Sequence, residues 1–136
     1  MTDLSITAAS VVAGAGATQR RGTAGATITA GQTVYFDSAT STYKLADCDS
    51  ATAAVRSPTG IALHGSLSGQ PLAVHDGGPL TIGATLTPGV AYYLSATPGG
   101  ICPVADLSTG DYPVILGIAT SSTVLNVDIQ QAGVAL

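Results

Sequence analysis

Read for its apolar and polar positions, the chain is a run of short apolar bursts punctuated by glycine, proline, serine and threonine. The stretch "ATITAGQTVYFDSATSTYKLAD" (26–47) reads as strand, glycine turn, strand, Ser/Thr turn, strand. Within it Val34 and Phe36 alternate with Tyr35, the period of two that marks a strand. Residues 60–86 read as three short strands, separated by turns at Gly65–Gly69 and at Asp76-Gly77-Gly78. Thr87-Pro88-Gly89 leads into "VAYYLS", and Thr97-Pro98-Gly99-Gly100 turns the chain back. The C-terminal run predicts a hairpin, strands 113–119 and 123–129 around Ser121-Ser122, with Val127 and Ile129 on one face and Asn126, Asp128 and Gln130 on the other. Only residues 49–57 suggest a helix, of one or two turns, capped by Asp49 or Ser50.

Turn signals every eight to twelve residues or so predict an all-β fold, an antiparallel β-sandwich or small barrel of jelly-roll or tulip-like form. Strands joined by short turns pair antiparallel, because parallel pairs need long crossovers. Residues 1–25 break the pattern. They open with a short strand from Leu4 to Val12 and then dissolve into glycine and alanine. Such a segment buries too little to fold alone, so it is expected as an extended N-terminal arm ordered on a neighbour, with residues 26–136 as the β domain.

Composition sharpens this picture. Charged residues are 9% of the 136, against about 25% in an average soluble domain. All eight acids are aspartate, and Arg20, Arg21, Lys44 and Arg56 are the only basic residues, giving a net charge of −4. Scarce Glu, Lys and Arg leave little material for solvent-facing helices. The acidic balance argues against nucleic acid as a partner. No apolar run reaches the roughly 18 residues of a membrane-spanning helix. The apolar stretch 8–17 lacks the basic flank of a signal peptide, so no cleaved leader and no membrane are expected. A chain 46% hydrophobic with so little charge is expected to have part of its surface covered in an assembly.

Candidate chemistry is sparse. Gly14 and Gly16 follow an apolar run, but the third position of a dinucleotide fingerprint is Gln19 and no helix follows, so no cofactor is expected. His64 and His75 flank one turn and, with Asp76, offer a two-histidine, one-carboxylate set; ordinary hydrogen-bonded histidines are the favoured reading, with no metal site assigned. Asp47 and Asp49 flank Cys48 and would keep its thiol protonated. Neither a nucleophile elbow nor an acidic pair of unequal environments stands out, so no catalytic residue is assigned and no enzyme is expected. A bond between Cys48 and Cys102 remains open, with two buried thiols in a reducing cytoplasm as the expected state. Tyr92 and Tyr93 point to opposite strand faces, so at most one is core and the other suits an interface.

The run from Gly60 to Ile129 resembles the small head-decoration, or capsid cement, proteins of tailed bacteriophages. The residues that carry this are Gly60–Ala62 ("GIA"), Gly69–Val74 ("GQPLAV"), Leu86–Ile101 ("LTPGVAYYLSATPGGI") and Val114–Ala119 ("VILGIA") with the strand after it; the resemblance spans about residues 55–130. It implies a catalysis-free virion protein, made in the host cytoplasm, that binds the outer surface of an expanded capsid and braces neighbouring copies of the major capsid protein. It also implies a homo-oligomer, dimer or trimer. Leu4, Ile6, Val11, Val12, Arg20, Arg21, Tyr92 and Tyr93 are the candidate capsid or oligomer contacts, the two arginines meeting acidic groups. The alternative is a receptor- or glycan-binding module of a tail fibre or baseplate, using Tyr43, Asp47, Asp76 and Asp111 on exposed loops.

Overall fold

A computed structural model describes residues 3–136, and these form one antiparallel, curled β-sheet. The strands are β1 (Val11–Ala13), β2 (Thr18–Thr23), β3 (Thr33–Asp37), β4 (Thr42–Leu45), β5 (Gly60–Ala62), β6 (Pro71–Ile82), β7 (Ala91–Leu94), β8 (Ile101–Pro103), β9 (Val114–Ala119) and β10 (Val124–Gln131). Their order is β4-β3-β5-β6-β10-β9-β7-β8, with β1 and β2 both paired to β6. The all-β antiparallel class expected from the turn spacing is the class found. Among the described residues no helix is long and apolar enough to cross a membrane.

β6 organises the molecule. Its first half pairs with β5 and β2, its second half with β10 and β1. Where the sequence suggested a reversal at Asp76-Gly77-Gly78, the strand runs straight through as one element of 12 residues. Gly78 has φ 87°, a conformation open to glycine at little cost, and it bends the strand without reversing it. A side chain there would stand 3.0 Å from the Ala17 backbone. The sheet splits at this bend, β5 leading to β3 and β4, β10 leading to β9, β7 and β8.

The first branch curls until Ala24, just past β2, bridges Tyr43 of β4, and Gly25 N–H donates to the Tyr43 carbonyl at 2.8 Å. It encloses a small core of Ala24, Ile28, Val34, Tyr43, Ala62, Leu72 and Val74. The second branch covers the larger core, which includes Leu80, Ile82, Leu94, Ile101, Leu116 and Leu125. Each such side chain contributes about 1.5–3 kcal/mol by leaving water.

Residues 3–25 lie on the chain's own sheet rather than standing off as an arm. Leu4 N–H donates to the Ile101 carbonyl and Thr7 N–H to that of Gly83, both at 2.8 Å. The strand expected from Leu4 to Val12 is an extended stretch, a 3-10 turn at Ala8–Ser10, and then β1. Gly14 passes so close to Pro79 that a side chain would stand 2.8 Å from its Cβ. What holds this weakly apolar segment is the long edge of β6, which supplies ladder hydrogen bonds that offset its ordering entropy. Met1 and Thr2 lie outside the described residues.

Two local expectations also change. The first strand of 26–47 reduces to one bridge, Ile28 to Ser66. Residues 49–57 form successive turns and no helix, with Val55, Arg56 and Ser57 N–H bonding three residues back. Ser50 Oγ accepts from Thr52 N–H at 3.2 Å, closing a turn where a helix cap was expected.

Candidate functional site

The groups that sequence reasoning weighed for chemistry are held apart. His64 Nε2 accepts from Ala73 N–H at 3.1 Å, so its Nδ1 donates to the Gly65 carbonyl at 2.9 Å. His75 is buried, with Nε2 against the Gly78 carbonyl at 2.9 Å. Asp76 accepts from Thr18 Oγ1 at 2.6 Å and from Arg20 Nε at 2.8 Å. Both imidazoles therefore bond to backbone groups and the carboxylate to side chains, and the three do not converge on a common point. A different trio does approach: ligand atoms of Asp3, Cys102 and Asp106 lie within 4.8 Å of one another. Asp3 is fixed there by Ser95 Oγ, which donates to it at 2.7 Å. Burial, then the fields of Asp3, Asp106 and Asp111, push the Cys102 thiol up to about 12, so the trio would have to expel a proton before holding a cation.

Cys48 and Cys102 are free and buried. Burial is also the first cause pushing Cys48 up to about 12. Neither thiol should therefore react with iodoacetamide at pH 8 in the native chain, and both should react once it is unfolded. Rapid native labelling, counted by mass, would contradict the buried placement.

Asp47 and Asp49 do form an acidic pair of unequal environments, which their plain D-C-D spacing did not announce. Burial, then the hydrogen bond that a protonated Asp47 donates to Asp49, raises Asp47 above the ordinary aspartate value of 3.8. Its neutral form is the one the fold favours, so ionisation at neutral pH weakens folding. Asp47→Asn should thus raise the melting temperature at pH 7, with the gain vanishing as pH falls below about 3.8. Asp76 has the opposite sign. The Thr18 hydrogen bond, helped by Arg20, lowers its pKa below 3.8. Its stabilising contribution is present above that value and is lost as pH falls through the lowered one. Asp76→Asn should therefore lower the melting temperature at pH 7 and cease to matter in strong acid. Melting curves across pH for both variants check the two signs together.

What the fold does assemble is a surface. On the outside of the second branch, Val12, Thr81 and Val124 stand opposite one another across β1, β6 and β10. In the adjoining row Asn126, Ile118 and Ala91 do the same across β10, β9 and β7. Side chains directly opposite in an antiparallel ladder share one face about 5 Å apart. The six residues thus form a continuous patch without a charge. Val12 is 57% exposed and Ile118 50%. The rows owe their placement to a bulge: the register of β9 shifts between Ile115 and Gly117. Leu116 and Gly117 both turn inward there, and Ile118 turns out.

Of the contacts expected from the sequence, only some reach this surface. Val12 lies in it. Val11 is buried, and Leu4 and Ile6 pack half-buried against the larger core. Tyr92 is the core tyrosine, its phenol oxygen accepting from Thr87 N–H at 3.0 Å. Tyr93 faces outward and is half-buried opposite Ile115. Arg20 is occupied by Asp76, whereas Arg21 is exposed. Tyr43 and Asp111, expected on exposed loops, are buried, because Tyr43 fills the small core and Asp111 caps a turn by accepting from Ser108 N–H at 2.9 Å. Ile118, Val124 and Ala91 had not been singled out.

No family model, curated protein or solved structure matches this chain. The site's chemistry is therefore read from its own geometry. An uncharged, pleated face with two large β-branched side chains half in water suits contact with another protein surface.

Proposed function

We propose that this chain is a structural protein of a phage head. It docks through the uncharged sheet face onto the outer surface of the assembled capsid and braces neighbouring copies of the major capsid protein. The observation that carries the reading is the two-row patch of Val12, Thr81, Val124, Asn126, Ile118 and Ala91. Monomeric soluble proteins keep contiguous apolar surface small, and apolar, charge-poor patches are the usual centre of protein interfaces. With its one carboxylate, Asp128, at the border of the patch, the centre of this face lets a chain of net charge −4 approach an acidic shell or a second copy without burying like charges. The resemblance of residues 55–130 to head-decoration proteins supplies the partner. Copies joined as a dimer or trimer would gain avidity, since each later contact becomes intramolecular.

Binding only the assembled shell stabilises it by mass action. Purified chain mixed with expanded, undecorated heads should co-sediment to saturation and raise the temperature at which the heads release their DNA. A chain left in the supernatant, or bound without any change in head stability, would contradict the reading.

A further inference from the structure

We infer that the open edge of β2 is a second docking element, one that takes up an extended, acidic segment of the shell subunit as an added strand. The inference rests on the proposed function for the partner and on separate observations for the site. The ladder shows which backbone groups are unused. Ala73, opposite Arg21, directs both its polar groups to the other edge of β6: its N–H goes to His64 Nε2 at 3.1 Å and its carbonyl accepts from Leu63 N–H at 3.0 Å. Arg21 therefore occupies a non-hydrogen-bonded position, and its own N–H and C=O point away from β6. Gln19 and Thr23 share that direction two residues either side, and Thr23 faces Pro71, which has no N–H to give. The Thr23 carbonyl is met by β4 at the Ala24–Tyr43 bridge, whereas Gln19 and Arg21 pair with no strand but β6. The Gln19–Arg21 stretch of β2 is thus an unpaired strand edge, a ready template for a further strand.

Charge decides what fits. Arg20 is paired with Asp76, Lys44 with Asp37 at 2.8 Å, and Arg56 lies 3.5 Å over the Tyr112 ring while donating to the Ser50 carbonyl. Among the described residues Arg21 alone of the basic side chains has no partner. A second copy pairing antiparallel along these outward positions, centred on β2, would set Arg21 against its own counterpart, and like charges directly opposite are destabilising. A strand bearing Asp or Glu opposite Arg21 meets it with a pair. The edge is also continuous with the proposed docking face, because β1, which carries Val12, lies along the same side of β6.

Amide hydrogen exchange on the full chain, free and bound to expanded heads, tests this. In the free chain Gln19, Arg21 and Thr23 should exchange at least about tenfold faster than Arg20 and Gly22, and on docking they should slow by a similar factor. Arg21→Glu should weaken docking about tenfold or more while Arg21→Lys retains it. Thr23→Pro should weaken it with Arg21 intact, since it removes an outward N–H and leaves the β6 ladder whole. Melting temperatures of the variants confirm that they fold. Heads that bind the chain while these three amides exchange as in the free state overturn the added strand but leave the proposed function standing. Heads that do not bind the chain at all overturn both.

Discussion

Ile118→Asp should reduce binding to expanded heads by on the order of 100-fold, about 2.8 kcal/mol at 1.4 kcal/mol per factor of ten. The carboxylate would enter the middle of a charge-free contact, where it loses water and finds no partner. Folding should hardly suffer, because the side chain is half in water; an aspartate on a strand costs about 1 kcal/mol in propensity. Val12→Asp, in the neighbouring row, should act the same way. Leu67→Asp gives the control. Leu67 is as exposed, at 58%, but lies in the turn before β6, away from the face. It should bind as the unaltered chain does. Equal binding by the Ile118 and Leu67 variants in a co-sedimentation titration would remove the face from the account.

The largest effect on stability should come from Leu80→Ala. Leu80 is fully buried and stands opposite Ala13 of β1 on one side and Leu125 of β10 on the other. It therefore joins the N-terminal segment, the central strand and the C-terminal hairpin in one layer. Deleting a buried leucine side chain typically costs 2–5 kcal/mol, through lost transfer energy and the cavity left behind. Small domains hold only about 5–15 kcal/mol in all. The melting temperature should drop by roughly 10 °C or more. Val12, two residues after Ser10 on the partner strand but facing outward, offers the contrast: Val12→Ala should change stability by well under 1 kcal/mol. If Leu80→Ala melted within a degree or two of the unaltered chain, the N-terminal segment would not be packed as described.

Much of the fold was legible because it is local. In β10, Leu125 and Val127 are buried and Asn126 and Asp128 exposed, as its alternation predicts. The opposition of Tyr92 and Tyr93 follows from the same period of two, but which ring is inside depends on the β7–β9 pairing. The glycines at 77 and 78 were visible as a place where the chain changes direction. A turn and a bend share that local chemistry, and only partners far along the sequence keep the strand running. The N-terminal segment was illegible for the same reason: its order comes from an edge some sixty residues away, not from its own apolar content. The proposed docking face hid in the unbroken apolar run "VILGIA", where a bulge resets the alternation and sends Ile118 outward. Arg20 and Arg21 look equivalent in sequence. The ion pair with Asp76, made through a long-range pairing, separates them.

A reconstruction of heads saturated with the chain tests the central claim most directly. The account predicts that the rows Val12–Thr81–Val124 and Asn126–Ile118–Ala91 lie against neighbouring protein. A decorated head with those two rows turned to solvent would contradict it.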